Sequence, residues 1–216
     1  WESLNDPVLE QLIVRAREGN PTLKGAIAGM REARALRRIA AGERVPNVDI
    51  DGEVSRNRLS DDFGGASPLI DQYQTVYDYG PTVLWEVDFW GRVRRSVASA
   101  DANFQASIED YRDALVLLYA ETALTYTEVR ALQARIEYTL GNIETQRAAL
   151  RLVEDRNRAG LASDLEVHQA ELNLYRTESF LPSLRAALVA AVNRLGVLIG
   201  EPPGTLHAEL GVQQPI

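Results

Sequence analysis

The chain has 216 residues, of which 45% are hydrophobic and 25% charged, with a formal net charge of -8 and a pI near 4.9. This is enough chain to bury a core, and the acidic balance excludes nucleic acid as a partner, because phosphate binding needs a basic field and no stretch concentrates Lys and Arg. The absence of cysteine excludes disulfides and thiolate metal sites, and no apolar run approaches the roughly 20 residues of a spanning helix, which leaves a closed β-barrel as the route across a bilayer.

Residues 5–18 read as a short helix, capped by Asp6, with Pro7 in its first turn and Leu9, Leu12, Ile13 and Ala16 as its apolar stripe. Gly19-Asn20 ends it. Pro21 opens a second helix to about residue 44, closed by Gly42 and Pro46. From 46 to 60 the pattern changes to period two: Val48, Ile50 and Val54 lie on one side, Asn47, Asp49, Asp51, Glu53, Ser55 and Asn57 on the other, which predicts a strand with one wet face. A turn-rich stretch at 60–68 precedes a second alternating run over 73–89. There Tyr73, Tyr77, Tyr79, Val83, Trp85, Val87 and Phe89 point one way, and Gln74, Asp78, Thr82, Glu86 and Asp88 the other. Both runs exceed the roughly 9–11 residues that a tilted strand needs to cross a membrane.

After Gly91 a proline-free helix is expected for about 65 residues. Its apolar steps, among them Val93, Val97, Phe104, Tyr111, Leu118, Tyr126, Val129, Leu132, Ile136, Leu140, Ile143 and Leu150, follow the three-four spacing of coiled coils. At 1.5 Å per residue such a helix is on the order of 100 Å long and needs neighbours along its length. Residues 158–163 interrupt it, and Ser163 or Asp164 caps a returning helix carrying Leu165, Leu172, Tyr175, Leu184, Leu188, Val192 and Leu195, which Pro182 is expected to bend or divide. Gly200-Glu201-Pro202-Pro203-Gly204 ends it, and the last dozen residues read as an extended connector.

The fold class is therefore mainly α with a β-hairpin: a long antiparallel helical hairpin plus two long strands. The expected divisions are 1–45 (two helices), 46–90 (two strands with an intervening loop), 91–200 (helical hairpin, tip at 158–164) and 201–216 (connector). One strand pair cannot cross a membrane alone, because its edges would leave backbone groups unpaired in lipid. Closure requires strands from further copies or from more chain. The aromatics Tyr73, Tyr77, Tyr79, Trp85 and Phe89 on one alternating face fit a lipid-facing surface with interfacial girdles. A hairpin packing its aromatic side on the helices fits that pattern equally.

The stretch Trp85-Glu86-Val87-Asp88-Phe89-Trp90-Gly91-Arg92-Val93-Arg94-Arg95 resembles the strand-to-helix junction of the outer-membrane efflux protein family, the TolC-like proteins and in particular the lipoproteins of RND-type systems. The stretch from Arg156-Asn157-Arg158-Ala159-Gly160-Leu161-Ala162-Ser163-Asp164 to Glu171 resembles the family's periplasmic helix turn, and Leu195-Gly196-Val197-Leu198-Ile199-Gly200-Glu201-Pro202-Pro203-Gly204 the end of its returning helix. The resemblance implies one structural repeat, the N-terminal half, of an α-barrel/β-barrel channel subunit, three of which build a twelve-stranded barrel over a twelve-helix tunnel. In those terms residues 1–45 supply a short equatorial helix and an upper tunnel helix, and the loop between the strands is external. A length of one half, and the lack of the N-terminal Cys that carries lipid in lipoprotein members, imply a piece of a longer protein.

The resemblance further implies a bacterial outer-membrane location extending into the periplasm, passive export of drugs or other small toxic compounds, and a homotrimer of the full-length protein. Its partners would be a periplasmic adaptor, an inner-membrane pump and outer-membrane lipid. The residues that resemble the adaptor-docking tip are Arg156, Arg158, Ala159, Gly160, Leu161, Ala162, Ser163 and Asp164; Asp164 also resembles a member of a charge network that closes the tunnel. Read from the residues alone, Gly160 and Ser163 stop and restart helices, which leaves Leu161 unaccounted for. No cofactor, metal or catalytic site is expected: no Ser-His-Asp or glycine-rich phosphate pattern occurs, and His168 and His207 read as surface residues without ligand-spaced neighbours. The rival reading is a soluble periplasmic coiled-coil adaptor or scaffold whose hairpin binds partners without forming a pore.

Overall fold

A computed structural model describes residues 6–58 and 73–211. The expected turn-rich stretch at 60–68 lies outside them. Among the described residues, five helices and two strands follow in the order α1 (Pro7–Gly19), α2 (Pro21–Gly42), β1 (Asn47–Arg58), β2 (Tyr73–Leu84), α3 (Arg92–Arg158), α4 (Asp164–Ile199) and α5 (His207–Leu210). They divide into two compact units, Trp1–Ala28 with Glu109–Ile216, and Gly29–Ile108.

In the first unit, α1 starts where the Asp6 carboxylate accepts from the amides of Val8 (2.9 Å) and Leu9 (3.3 Å), with Pro7 in the first turn. Its stripe of Leu9, Leu12, Ile13 and Ala16 is buried against Leu118, Tyr126, Val129 and Leu132 of α3 and Ala191, Val192, Leu195 and Ile199 of α4. Two glycines set the approach of α1 to α4. A Cβ on Gly19 would stand 1.9 Å from the Ile199 carbonyl oxygen, and Gly200, at φ +76°, passes so close to Gly19 that a Cβ there would meet its carbonyl oxygen at 2.4 Å. Asn20 sits at this crossing, 6% exposed. Its Oδ1 accepts from the Leu23 amide at 2.9 Å, which caps α2, and its Nδ2 donates to the Leu198 carbonyl at 2.9 Å.

The stripe read for the long helix is the buried or half-buried side of α3, as its spacing requires, with Leu140 as its exposed member. The stripe read for α4 is correct only in its C-terminal half. There Val192 and Leu195 are buried and Leu184 and Leu188 partly so, whereas Leu165, Leu172 and Tyr175 are exposed and Leu174 is the buried position instead. The reason is that both hairpin helices are apolar on more than one face. On α3 a second set, Leu117, Leu124, Tyr138 and Leu152, falls in one seven-residue register and is exposed throughout.

Three further expectations are corrected. Pro182 does not divide α4, which runs unbroken for 36 residues; one missing N–H removes a single hydrogen bond, and packing on neighbouring helices holds the rest. By length and composition α4 is also apolar enough to span a bilayer, because alanines between its leucines and valines raise its apolar content without making a continuous run; Leu174, Val192, Leu195 and Ile199 direct that character inside the unit. The segment after α4 is not an extended connector over its described part. Leu206 and Leu210, four apart, are buried in the core and bracket the turn α5, and Arg15 of α1 clamps the segment through Glu201 (2.6 Å) and Glu209 (2.8 Å).

In the second unit, β1 and β2 pair antiparallel from Asn47↔Leu84 to Arg58↔Tyr73. β2 is shorter than the alternation to Phe89 predicted. Its partner begins at Asn47, directly after Pro46, so residues beyond Leu84 have no strand to bond. On the helical side of this unit Val93 and Val97 are buried, Arg37 and Asp101 form an ion pair, and the Arg34 guanidinium lies 5.3 Å from the centre of the Phe104 ring.

Candidate functional site

The hairpin tip is built by two opposed caps. At the end of α3, Gly160 takes φ +73°, its amide donates to the Asn157 carbonyl (2.8 Å) and the Leu161 amide to the Arg156 carbonyl (2.8 Å). This is the Schellman pattern, in which the residue after the left-handed glycine normally packs on an apolar residue of the last turn. Here the facing positions are Asp155 and Arg156, so Leu161 has nothing apolar to rest on and is 69% exposed. At the start of α4, Ser163 and Glu166 form a reciprocal capping box. Asn157 closes the turn by donating to the Ala162 carbonyl (3.0 Å) and the Asp164 carboxylate (2.9 Å), Arg156 reaches the Leu161 carbonyl, and Arg158 pairs with Asp155.

Of the residues expected here, the structure therefore brings all eight from 156 to 164 into one turn, with Asn157 added as the residue that ties its two sides together. Sequence reasoning passed over Asn157 because its role is visible only when Ala162 and Asp164 come within reach. His168, one turn further on, does have a carboxylate at helical spacing, contrary to expectation: its Nδ1 lies 2.9 Å from Glu171 Oε2. Among the described residues no group of three or more side chains is arranged to hold a metal ion.

The two strands form a sheet with segregated faces. The register places Val48, Ile50, Gly52 and Val54 across from Val83, Pro81, Tyr79 and Tyr77 on one face, and Asp49, Asp51 and Glu53 across from Thr82, Gly80 and Asp78 on the other. Both faces are exposed; Tyr79 on the apolar side is 84% so. Packing of the aromatic side on helices, one of the two readings of the alternation, is thus not what the structure adopts. Tyr73, Tyr77 and Tyr79 share this face, while Trp85 and Phe89 lie past the end of β2.

At that end the chain turns into α3 through a set of ion pairs and caps. Arg92 grips Glu86 through two bonds of 3.0 and 2.6 Å; this guanidinium holds the Glu86 carboxyl below its ordinary range, and Glu86 in turn raises Arg92. Asp88 accepts from the amides of Val93 and Arg94 at the start of α3. Desolvation pushes its carboxyl up, but these amides and the Arg94 side chain outweigh that and leave it lowered. Gly91, at φ +77°, makes the corner. Phe89 and Trp90 stack edge to face, 5.3 Å between centres, and Trp90 is 82% exposed.

A buried polar chain in the first unit escaped sequence reading altogether. The Tyr126 hydroxyl donates to Asp6 and accepts from Arg130 Nε (2.9 Å); Arg130 donates on to Gln133 Oε1 (3.0 Å), and Gln133 donates to the Leu210 carbonyl. Burial pushes the Asp6 carboxyl up, but the Tyr126 hydroxyl, the Val8 and Leu9 amides and the Arg130 charge more than offset it and hold Asp6 low. Burial and the bond to Asp6 raise the Tyr126 phenol. This chain joins α1, α3 and α5 and has no reactive geometry; it is a brace.

Comparison with known proteins places this arrangement. The family model described as outer membrane efflux protein matches residues 12–201. The chain is 31% identical over 201 residues to the solvent efflux pump outer membrane protein SrpC of Pseudomonas putida, covering 92% of this chain and 42% of that protein. It is 31% identical over 210 residues to the pyoverdine export outer membrane protein OpmQ of Pseudomonas aeruginosa, covering 96% and 44%. Among solved structures, the outer-membrane channel OprN superposes with a TM-score of 0.86 at 32% identity over 97% of this chain and 46% of that one. The outer membrane protein VceC of Vibrio cholerae, at 24% identity and a TM-score of 0.84 over 94% and 49%, shares the fold. The chain spans less than half the length of the curated relatives named here.

Proposed function

The chain belongs to the outer membrane efflux protein family, and we propose that it builds one repeat of a channel subunit in the bacterial outer membrane, through which small toxic compounds leave by passive conduction. The observation that carries this reading is the sheet: twelve paired residues per strand, sorted by parity into an apolar aromatic face and an acidic one, both uncovered. Such a sheet fits a barrel wall, with Tyr73, Tyr77 and Tyr79 toward lipid and Asp49, Asp51, Glu53 and Asp78 toward a water-filled lumen, and with Trp85 and Phe89 just past the end of β2 where the chain leaves the wall. The same logic extends to the helices. The exposed seven-residue register of Leu117, Leu124, Tyr138 and Leu152 on α3 supports side-by-side packing with further helices from the rest of a homotrimer.

Conduction needs no catalytic group, and the family is one of transport channels rather than enzymes. The tip formed by Arg156, Arg158, Ala159, Gly160, Leu161, Ala162, Ser163 and Asp164 is the docking point for a periplasmic adaptor that links the channel to an inner-membrane pump. Leu161 supports this, because the turn is closed by backbone bonds and Asn157 and does not use the leucine side chain. The experiment is single-channel conductance of the full-length protein in planar bilayers with its mass measured in detergent. Stepwise conductance from a trimer is the expected result; a soluble, non-conducting species would reject the channel in favour of a periplasmic scaffold.

A further inference from the structure

Away from their buried residues, α3 and α4 each carry a second face. On α3, Tyr138 and Leu152 are 77% and 62% exposed and stand opposite the buried Ile143, with Gly141, Thr145 and Ala148 between them. On α4, Leu172 is 63% exposed and stands opposite the buried Leu174, followed along the same side by Ser179, Ser183, Ala186 and Ala190. Gly141 is the residue that needs a reason. A glycine inside a helix is less favourable than alanine, yet a Cβ at Gly141 would meet nothing within 4 Å. Among the described residues nothing calls for it.

The hydroxyls on these faces are already satisfied. Thr145 Oγ1 donates to the Gly141 carbonyl at 3.0 Å, Ser179 Oγ to the Arg176 carbonyl at 2.7 Å and Ser183 Oγ to the Phe180 carbonyl at 2.7 Å. Each donor is used within its own helix, so this stretch can be covered by another helix without stranding a polar group. Heights match as well. Arg147 and Glu178 are joined at 2.7 Å, which levels the two helices there. At ~1.5 Å per residue, Gly141 and Thr145 then stand within about one turn of Ser183 and Ser179, and Tyr138 within about one turn of Ala186. A rotation about an axis along the hairpin leaves every height unchanged, so these residues face each other when hairpins of this construction stand side by side. The contact is heterologous, α3 of one hairpin on α4 of the next, which is the type that closes into rings.

We propose that this face of α3 is seated on the matching face of the returning helix of a neighbouring hairpin, with Gly141 at the closest approach to its serines and Tyr138 lodged on its alanines. This rests on the reading of the chain as one repeat of a trimeric channel, whose relatives are more than twice as long as the part matched here and so have chain for a second hairpin. The test uses the full-length protein in detergent, with native mass spectrometry reporting the oligomer. A parent that is not trimeric would overturn the channel reading and the interface with it. Given a trimer, Gly141→Leu distinguishes a seated face from an open one. Leucine is the better helix former, so on a face open to water it leaves the trimer as stable as before or more so. On a seated face it overpacks the closest approach and should raise the monomer fraction about tenfold, with helical circular dichroism unchanged. A leucine variant as trimeric as the parent overturns the interface and leaves the channel intact. Thr145→Cys, in a background without other cysteines, gives a second readout should the leucine variant lose its helix. Its labelling by a bulky maleimide in the trimer should be about tenfold slower than that of Asn142→Cys, an exposed position off this face. Equal rates at the two positions would overturn the interface.

Discussion

Replacing Asn20 separates two roles that the structure gives one side chain. Its Oδ1 caps α2 through the Leu23 amide, and its Nδ2 satisfies the Leu198 carbonyl near the end of α4. Asn20→Ala removes both. The cap contributes about 1 kcal/mol, and a buried carbonyl left without a donor costs about 1–3 kcal/mol, so a loss of about 2–4 kcal/mol is expected. Asn20→Asp discriminates between the roles: asparagine and aspartate cap helices about equally well, so a residue that only capped would tolerate the change. Here the introduced carboxylate faces the Leu198 carbonyl in a site 6% exposed, and the loss should match or exceed that of alanine near neutral pH. Acidification should restore part of it, because the protonated acid donates to the same carbonyl. The assay is thermal unfolding of the full-length protein in detergent, followed by helical circular dichroism from pH 4 to 8. An Asn20→Asp protein as stable as the parent at pH 7 would refute the reasoning and reduce Asn20 to a cap.

Tyr126→Phe removes the hydroxyl that joins Asp6 to Arg130 and should destabilise the full-length protein by about 1.5–3 kcal/mol, the range for bonds to charged groups. Because Asp6 titrates below its ordinary range in the fold, its contribution is complete above the unfolded carboxylate pKa and fades as pH falls through the folded value; acid melting curves should show a shallower decline in the phenylalanine variant. Leu161→Asp should weaken adaptor binding by at least tenfold in a surface-capture assay while leaving melting unchanged, since burying one leucine is worth about 1.5–3 kcal/mol; unchanged affinity would remove Leu161 from the docking surface. Changing Asp49, Asp51, Glu53 and Asp78 to their amides should move the reversal potential of the channel in a salt gradient away from cation preference, and an unaltered potential would place that face away from the lumen.

Elements whose partners are near in sequence were legible. Asp6 and Pro7 announce α1, Gly160 and Ser163 announce the tip, and the alternation of 47–58 and 73–84 announces the hairpin down to which residues share a face. What was misread depended on distant neighbours. Trp85, Val87 and Phe89 keep the alternation of a strand, but pairing stops at Leu84 because β1 has no residue left to offer. Leu172 and Tyr175 are spaced as well as Leu174 for burial on α4, and the choice between two apolar faces depends on what packs against α4, not on α4 itself. The brace of Tyr126 and Asp6 joins residues 120 positions apart, so although the spacing put Tyr126 on the apolar stripe and left out the exposed Tyr138, nothing near Tyr126 in sequence names the partner of its hydroxyl. Of the tip, the turn was readable from glycine and serine, and Leu161 from being left over by them, while the closing role of Asn157 depended on Ala162 and Asp164 coming within its reach.

The pairing of β1 with β2 also divides the mutations this hairpin tolerates into two kinds. Asn47 pairs with Leu84 and Arg58 with Tyr73 without a bulge between them, so identity at any one position can drift while parity cannot. A single inserted or deleted residue within one strand would carry every side chain beyond it in that strand to the opposite face, moving Asp49, Asp51 and Glu53 onto the apolar face if it fell early in β1, or Tyr77 and Tyr79 onto the acidic face if it fell early in β2. Changes of chain length should therefore accumulate in the segment between the strands, residues 59–72, and in even steps or not at all within the strands themselves.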